Sequence, residues 1–137
     1  MGKANRTTVR PLPPIGNAHR LLSFVYLDSF LADWKAEGLT EDDAAELERI
    51  IRDRPEVGPV MAGTGGLRKF RFAPAKGGKG KRGSERVCYA LFPVPGIVLL
   101  AVVFGKGEKD NLDAAERNAI KADLENYAAE LKRRARG

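Results

Sequence analysis

Histidine and cysteine are almost missing from this chain of 137 residues, which has one of each, His19 and Cys88. A lone cysteine excludes an internal disulfide, and the pair offers no zinc-ligand set of the usual kind. Long apolar runs are missing as well. The longest, Ile97 to Phe104, is eight residues, far short of the roughly 20 that cross a bilayer as a helix. The first twenty residues contain no continuous apolar stretch, so they do not read as a secretory signal. Basic and free of acids, they loosely resemble a transit peptide, but a floppy tail is the preferred reading. The expected setting is a reducing cytoplasm, with no membrane and no cofactor.

Acidic residues are scarce in particular places, which says more than the formal net charge of +6. Residues 1–20 carry four cations and no acid, whereas 21–60 carry a net −6. Residues 61–109 carry ten cations against two acids, and 110–137 are balanced at six of each. The chain is therefore polarised, with its positive pole in the middle. A solvated face is the ordinary explanation of a charge run. Solubility alone, however, is usually served by mixed signs.

What is abundant is apolar residue, 43% of the chain, enough for one domain with a real core. The organising stretch is GTGGLRKFRFAPAKGGKGKRGSERVCYALF, Gly63 to Phe92. Alternation in LRKFRF sends Phe70 and Phe72 to one face and Lys69 and Arg71 to the other. In the second run, Val87, Tyr89 and Leu91 oppose Arg86, Cys88 and Ala90. Paired as a hairpin, the two strands put Arg86 on the face of Lys69 and Arg71. The loop between them, Pro74 to Ser84, has four glycines and four cations and is too polar to bury.

Along the chain, residues 1–18 read as a flexible, proline-bearing extension, and 19–134 as a single domain. The run from His19 to Tyr26 is a first strand. Asp28 is positioned to cap a short helix that Gly38 ends. Thr40, with Asp43 three residues later, opens a second helix by an acidic form of the capping box, and Pro55 stops it. The glycines near 63–66 and 77–83 lack phosphate-loop spacing and lead into strands. Pro93 to Gly96 makes a turn, and Ile97 to Phe104 reads as a central strand covered on both faces. Asp113 with Glu116 starts a last helix running to about Arg133. The expected fold is α/β in the α+β sense: a small antiparallel sheet, an N-terminal helical hairpin on one face and a C-terminal helix. The first strand adds at an edge or beside the third of the meander, and the cationic face stays partly open.

The glycine-led strand GTGGLRKFRF, the Gly/Lys-rich loop, RVCY, and the apolar strand ending FGKGEKDNL resemble the RelE/ParE toxin superfamily, and within it the HigB-type RelE branch (phage-derived Gp49-like relatives). The likeness spans roughly Leu21 to Leu131. It implies a compact RelE-like fold and the toxin of a type II toxin–antitoxin system. Such a toxin is an mRNA interferase, a metal-independent endoribonuclease that cleaves messenger RNA on the ribosome. It also implies a cognate antitoxin, expected as a DNA-binding helix-turn-helix protein.

RNA carries its own nucleophile, the 2′-hydroxyl, so cleavage needs removal of its proton, stabilisation of the charged phosphorane and help for the leaving 5′-oxygen. Arginines clamp phosphate bidentately, and a lysine crowded by cations is suited to give up its proton. The expected catalytic set is Arg71 and Arg86 on the phosphate with Lys69 and Lys106 for proton transfer; each matches a basic position of the family pattern. Glu85 ranks second as base, since alternation turns it away from Arg86. Arg68, Lys76, Lys79, Lys81 and Arg82 are expected to bind RNA. Tyr89, by parity, reads as core. Tyr127 is the aromatic nearest the C-terminus, where several RelE-type enzymes carry one, and its spacing with Leu124 and Leu131 reads as buried helix face. The alternatives are a ParE-like gyrase inhibitor and a non-catalytic RNA-binding or ribosome-associated protein.

Overall fold

A computed structural model describes residues 22–74, 85–105 and 111–136, together with the backbone of 5–9. It contains β1 (Asn5–Val9), β2 (Ser23–Leu27), α1 (Asp28–Ala36), α2 (Glu41–Asp53), β3 (Leu67–Phe72), β4 (Glu85–Phe92), β5 (Ile97–Gly105) and α3 (Ala114–Arg136). The strands form one sheet in the order β1-β2-β5-β4-β3. β3, β4 and β5 are the antiparallel meander read from the sequence, and β2 does add beside β5. That pairing is parallel, so the sheet is mixed and not purely antiparallel. β1 pairs antiparallel with β2 inside the stretch expected to be unstructured. Among the described residues, no helix is long and apolar enough to cross a membrane.

The helical hairpin covers one face. α2 begins as Thr40 and Asp43 predict: the Thr40 hydroxyl accepts from the Asp43 N–H at 3.1 Å, and the Asp43 carboxylate accepts from the Thr40 N–H at 2.9 Å. α1 differs in detail. Asp28 is its first residue and Leu27 its N-cap, with no side-chain cap, so Asp28 acts on the helix dipole and not as the cap. Gly38, with φ of 81°, closes the turn between the helices.

Beneath the hairpin, Tyr26, Phe30, Trp34 and Phe72 form a chain of ring contacts with centroids 5.5–5.8 Å apart. Leu47 and Ile51 complete this core with Val87, Tyr89, Val98, Leu100 and Val103. Each fully buried side chain of this size contributes about 2–3 kcal/mol. One carboxylate lies within it: Glu48, 1% exposed, accepts a hydrogen bond from the Tyr26 hydroxyl.

The other face is not bare. α3 lies against it through Leu124, which packs in a second core with Leu67, Cys88, Ala90, Leu99 and Ala101. A bulge between Cys88 and Tyr89, where β5 carries Ala101 as an extra residue, increases the local twist. Because α3 covers the Leu67 to Phe92 side of this face, the cations at 69, 71 and 86 sit beside a helix, not on an open sheet.

Candidate functional site: a cationic strand pair beside the last helix

The β3–β4 register sets the site. Lys69 lies opposite Cys88, and Arg71 opposite Arg86. Directly opposed residues project to the same side, so Lys69, Arg71 and Arg86 share the face that α3 occupies, as the alternation predicts. On β3's outer side the Lys69 N–H donates to Pro59 O at 3.1 Å, and Leu67 O accepts from the Met61 N–H at 2.8 Å. Residues 67, 69 and 71 therefore direct their backbone groups away from β4. Their cross-strand pairs are the non-hydrogen-bonded kind, in which opposing Cα atoms approach to about 4.5 Å. Two arginines are thus directly opposed on one face, and like charges so placed disfavour each other unless their heads diverge or an anion offsets them.

Exposure divides the set. Arg71 is exposed and Lys69 half-buried, whereas Arg86 is only 4% exposed. The expectation of an open face at Arg86 is therefore corrected: its stem and head lie within the fold. Lys69 is steered by α3's leading segment, its Nζ standing 3.4 Å from Asn111 Oδ1. That same oxygen accepts from the Leu112 N–H at 3.0 Å and so is fixed in place. Glu85 is buried and projects to the hairpin side, opposite Phe72, so it is separated from the cations by the sheet itself.

Arg68 also leaves the set. It projects to the hairpin side, where its Nη1 donates to Gly58 O at 2.7 Å. The same loop is tied from beneath by Tyr89, whose hydroxyl donates to Pro55 O at 2.7 Å and accepts from the Gly58 N–H at 3.1 Å. Burial pushes the Tyr89 hydroxyl's pKa up, partly offset by the Gly58 hydrogen bond and by Arg68. A Cβ on Gly58 would stand 2.9 Å from Lys69 O, so no larger residue fits there. Tyr89 is a core residue, as parity predicts, and it holds the 55–61 loop on the β3 edge.

Tyr127 is not part of the cationic site. Its ring packs on Phe92 at 5.4 Å, the end of β4 away from Arg86, and burial raises its pKa. Six strand residues separate the two positions, about 20 Å. Lys106, Lys76, Lys79, Lys81 and Arg82 lie outside the described residues, as does His19.

Two residues of this region escaped the sequence reading. Arg117 of α3 donates from Nε to Leu112 O at 3.1 Å and from Nη1 to Ala62 O at 2.8 Å, which joins the helix to the glycine turn before β3. Lys121 lies one turn further on, its Cγ 3.2 Å from the place of a Cβ on Gly65. Their signal was the i, i+4 spacing of two cations on a helix whose partner face was unknown.

A cavity of about 390 Å³ opens at the end of β5, lined by Asp33, Glu37 and Glu116 over Val102, Val103 and Phe104, the last of these the cross-strand partner of Arg86. Its carboxylates repel phosphate, so it does not compete for the same ligand. No family model matches the chain.

Proposed function

We propose that the protein is an endoribonuclease that cleaves messenger RNA on the ribosome, the toxin of a toxin–antitoxin pair. The observation that carries the reading is the cross-strand pair Arg71 and Arg86 with Lys69 on the same face. The likeness of GTGGLRKFRF, RVCY and FGKGEKDNL to HigB-type RelE toxins supports it from the sequence side. That likeness also brings in the expected partner, a DNA-binding antitoxin.

The chemistry asks little of the protein. The RNA 2′-oxygen attacks the adjacent phosphorus, the bond to the 5′-oxygen breaks, and a 2′,3′-cyclic phosphate and a 5′-hydroxyl result. In this reading Arg71, at the surface, takes the non-bridging oxygens, and Arg86 adds positive potential from beneath, where low dielectric strengthens it. Lys69, held by Asn111, is the proton-transfer group on the described part of the face. Lys106 is assigned the complementary transfer.

The test is cleavage in a cell-free translation system, with messenger 5′ ends mapped. The wild-type protein should create new ends at codon positions. Arg71→Ala should lower their rate by about 10²-fold, and Lys69→Ala by about 10²–10⁴-fold. Arrest without new ends sinks the nuclease reading in favour of gyrase inhibition or simple RNA binding, and new ends that are unchanged in both variants remove Arg71 and Lys69 from the site.

A further inference from the structure

The glycine turn and the first half of α3 take no part in the chemistry above, yet they extend the same face. From Arg71 back through Lys69 to Leu67, β3 presents alternate residues to the α3 side. The chain then turns through Gly66, Gly65 and Gly63, with φ of 114°, 76° and 73°. The turn is fixed at its base by buried Thr64, whose hydroxyl donates to Met61 O at 2.7 Å and accepts from the Leu67 N–H at 3.0 Å. Over it lie the two α3 cations. Arg117 grips Ala62 O, and the Lys121 stem rests on Gly65, where a positive φ strains any side chain and an added Cβ would stand 3.2 Å from Lys121 Cγ. Lys121 is exposed. The nearby carboxylates Asp113 and Glu116 are turned onto each other's backbone N–H groups at the start of the helix, at 2.8–2.9 Å.

We infer that this strip, Arg71–Lys69–Arg117–Lys121 over the Gly63–Gly66 turn, is a track for the backbone of single-stranded RNA leading away from the cleavage site. It rests on the nuclease reading for the identity of its ligand. From Arg71 to Leu67 is four residues of strand, about 13 Å, and the glycine turn with Lys121 continues the strip beyond it, which spans more than one phosphate. A row of cations suits a flexible strand whose phosphates adjust to it, and it carries no base readout. Arg117, with Nε and Nη1 already committed to carbonyls, supplies charge and holds the turn. Lys121 is the contact at the far end.

The test uses a short fluorescent 2′-O-methyl oligonucleotide, which lacks the attacking hydroxyl and reports binding without cleavage. Its affinity is measured by anisotropy across a salt series for the wild type, Lys121→Ala, Arg71→Ala and Lys132→Ala. Each phosphate contact on a single strand contributes about 0.7 to the log–log salt slope. Lys121→Ala should lower the slope by about that amount and weaken binding several-fold at low salt, as Arg71→Ala does. Lys132→Ala, at the distal end of the helix, should leave both unchanged. The track is overturned if the wild type does not bind, if Lys121→Ala matches wild type while Arg71→Ala does not, or if duplex DNA of equal length competes as well. Binding that depends on Lys121 in a protein that cuts no messenger keeps the track and removes the nuclease. Cutting that ignores Lys121 does the reverse.

Discussion

Tyr89 shows how a single hydroxyl carries a loop. Tyr89→Phe removes the donor to Pro55 O and the acceptor for the Gly58 N–H. Stranding buried polar groups in this way costs about 1–3 kcal/mol, seen as a lower urea midpoint at pH 7. A second consequence concerns alkali. The folded pKa of Tyr89 is raised above its ordinary value of 10.0, so the folded state holds the proton more tightly than the unfolded chain. Stability from this group is fully present below pH 10 and is lost as pH rises through the higher folded pKa. Wild type should therefore lose more stability between pH 9 and 11 than Tyr89→Phe does, and equal losses would refute the assignment. At this scale the sequence was readable for direction and not for cover. Alternation assigned Phe70, Phe72, Val87 and Tyr89 to one face and Lys69, Arg71 and Arg86 to the other, because strand parity is local. It said nothing of the burial of Arg86 or of Arg68's grip on Gly58, because both depend on chain segments distant in sequence.

Among the elements, α3 is held unevenly. It has 23 residues, but Leu124 is its one buried side chain, with Ile120 and Tyr127 partly covered. Its end carries Arg133 and Arg134 paired with Glu130 on the surface, contacts that contribute little. Amide exchange should be slow from about 117 to 127 and fast beyond 130. Leu124→Ala should cost about 2–4 kcal/mol and release the whole helix to exchange, whereas uniform protection along α3 would contradict this anchoring. The capping pairs Thr40–Asp43 and Asp113–Glu116 were readable because a cap is a local hydrogen-bond pattern. β1 was not, since NRTTV has no apolar alternation. Its β-branched run, Thr7, Thr8 and Val9, was the available signal. The parallel match of β2 to β5 had no local signal at all.

For the whole molecule, charge and topology pull apart. The acidic hairpin and the cationic β3–β4 pair lie against opposite sides of one sheet, which gives the molecule two faces of opposite charge. The parallel pairing of Ser23–Tyr26 with Ile97–Leu100 also has a temporal meaning. β2 emerges from the ribosome long before its partner, and Phe24, Tyr26, Phe30 and Trp34 wait without the strand that closes over them. At about 5–20 residues per second, the sheet stays open for several seconds of synthesis. Nascent chains halted with residues 1–92 outside the exit tunnel should be digested by protease, and those halted with 1–112 outside should resist it. The cationic pair of β3 and β4 thus has no backing until the last strand is made, so whatever that face binds has no formed site on the nascent chain.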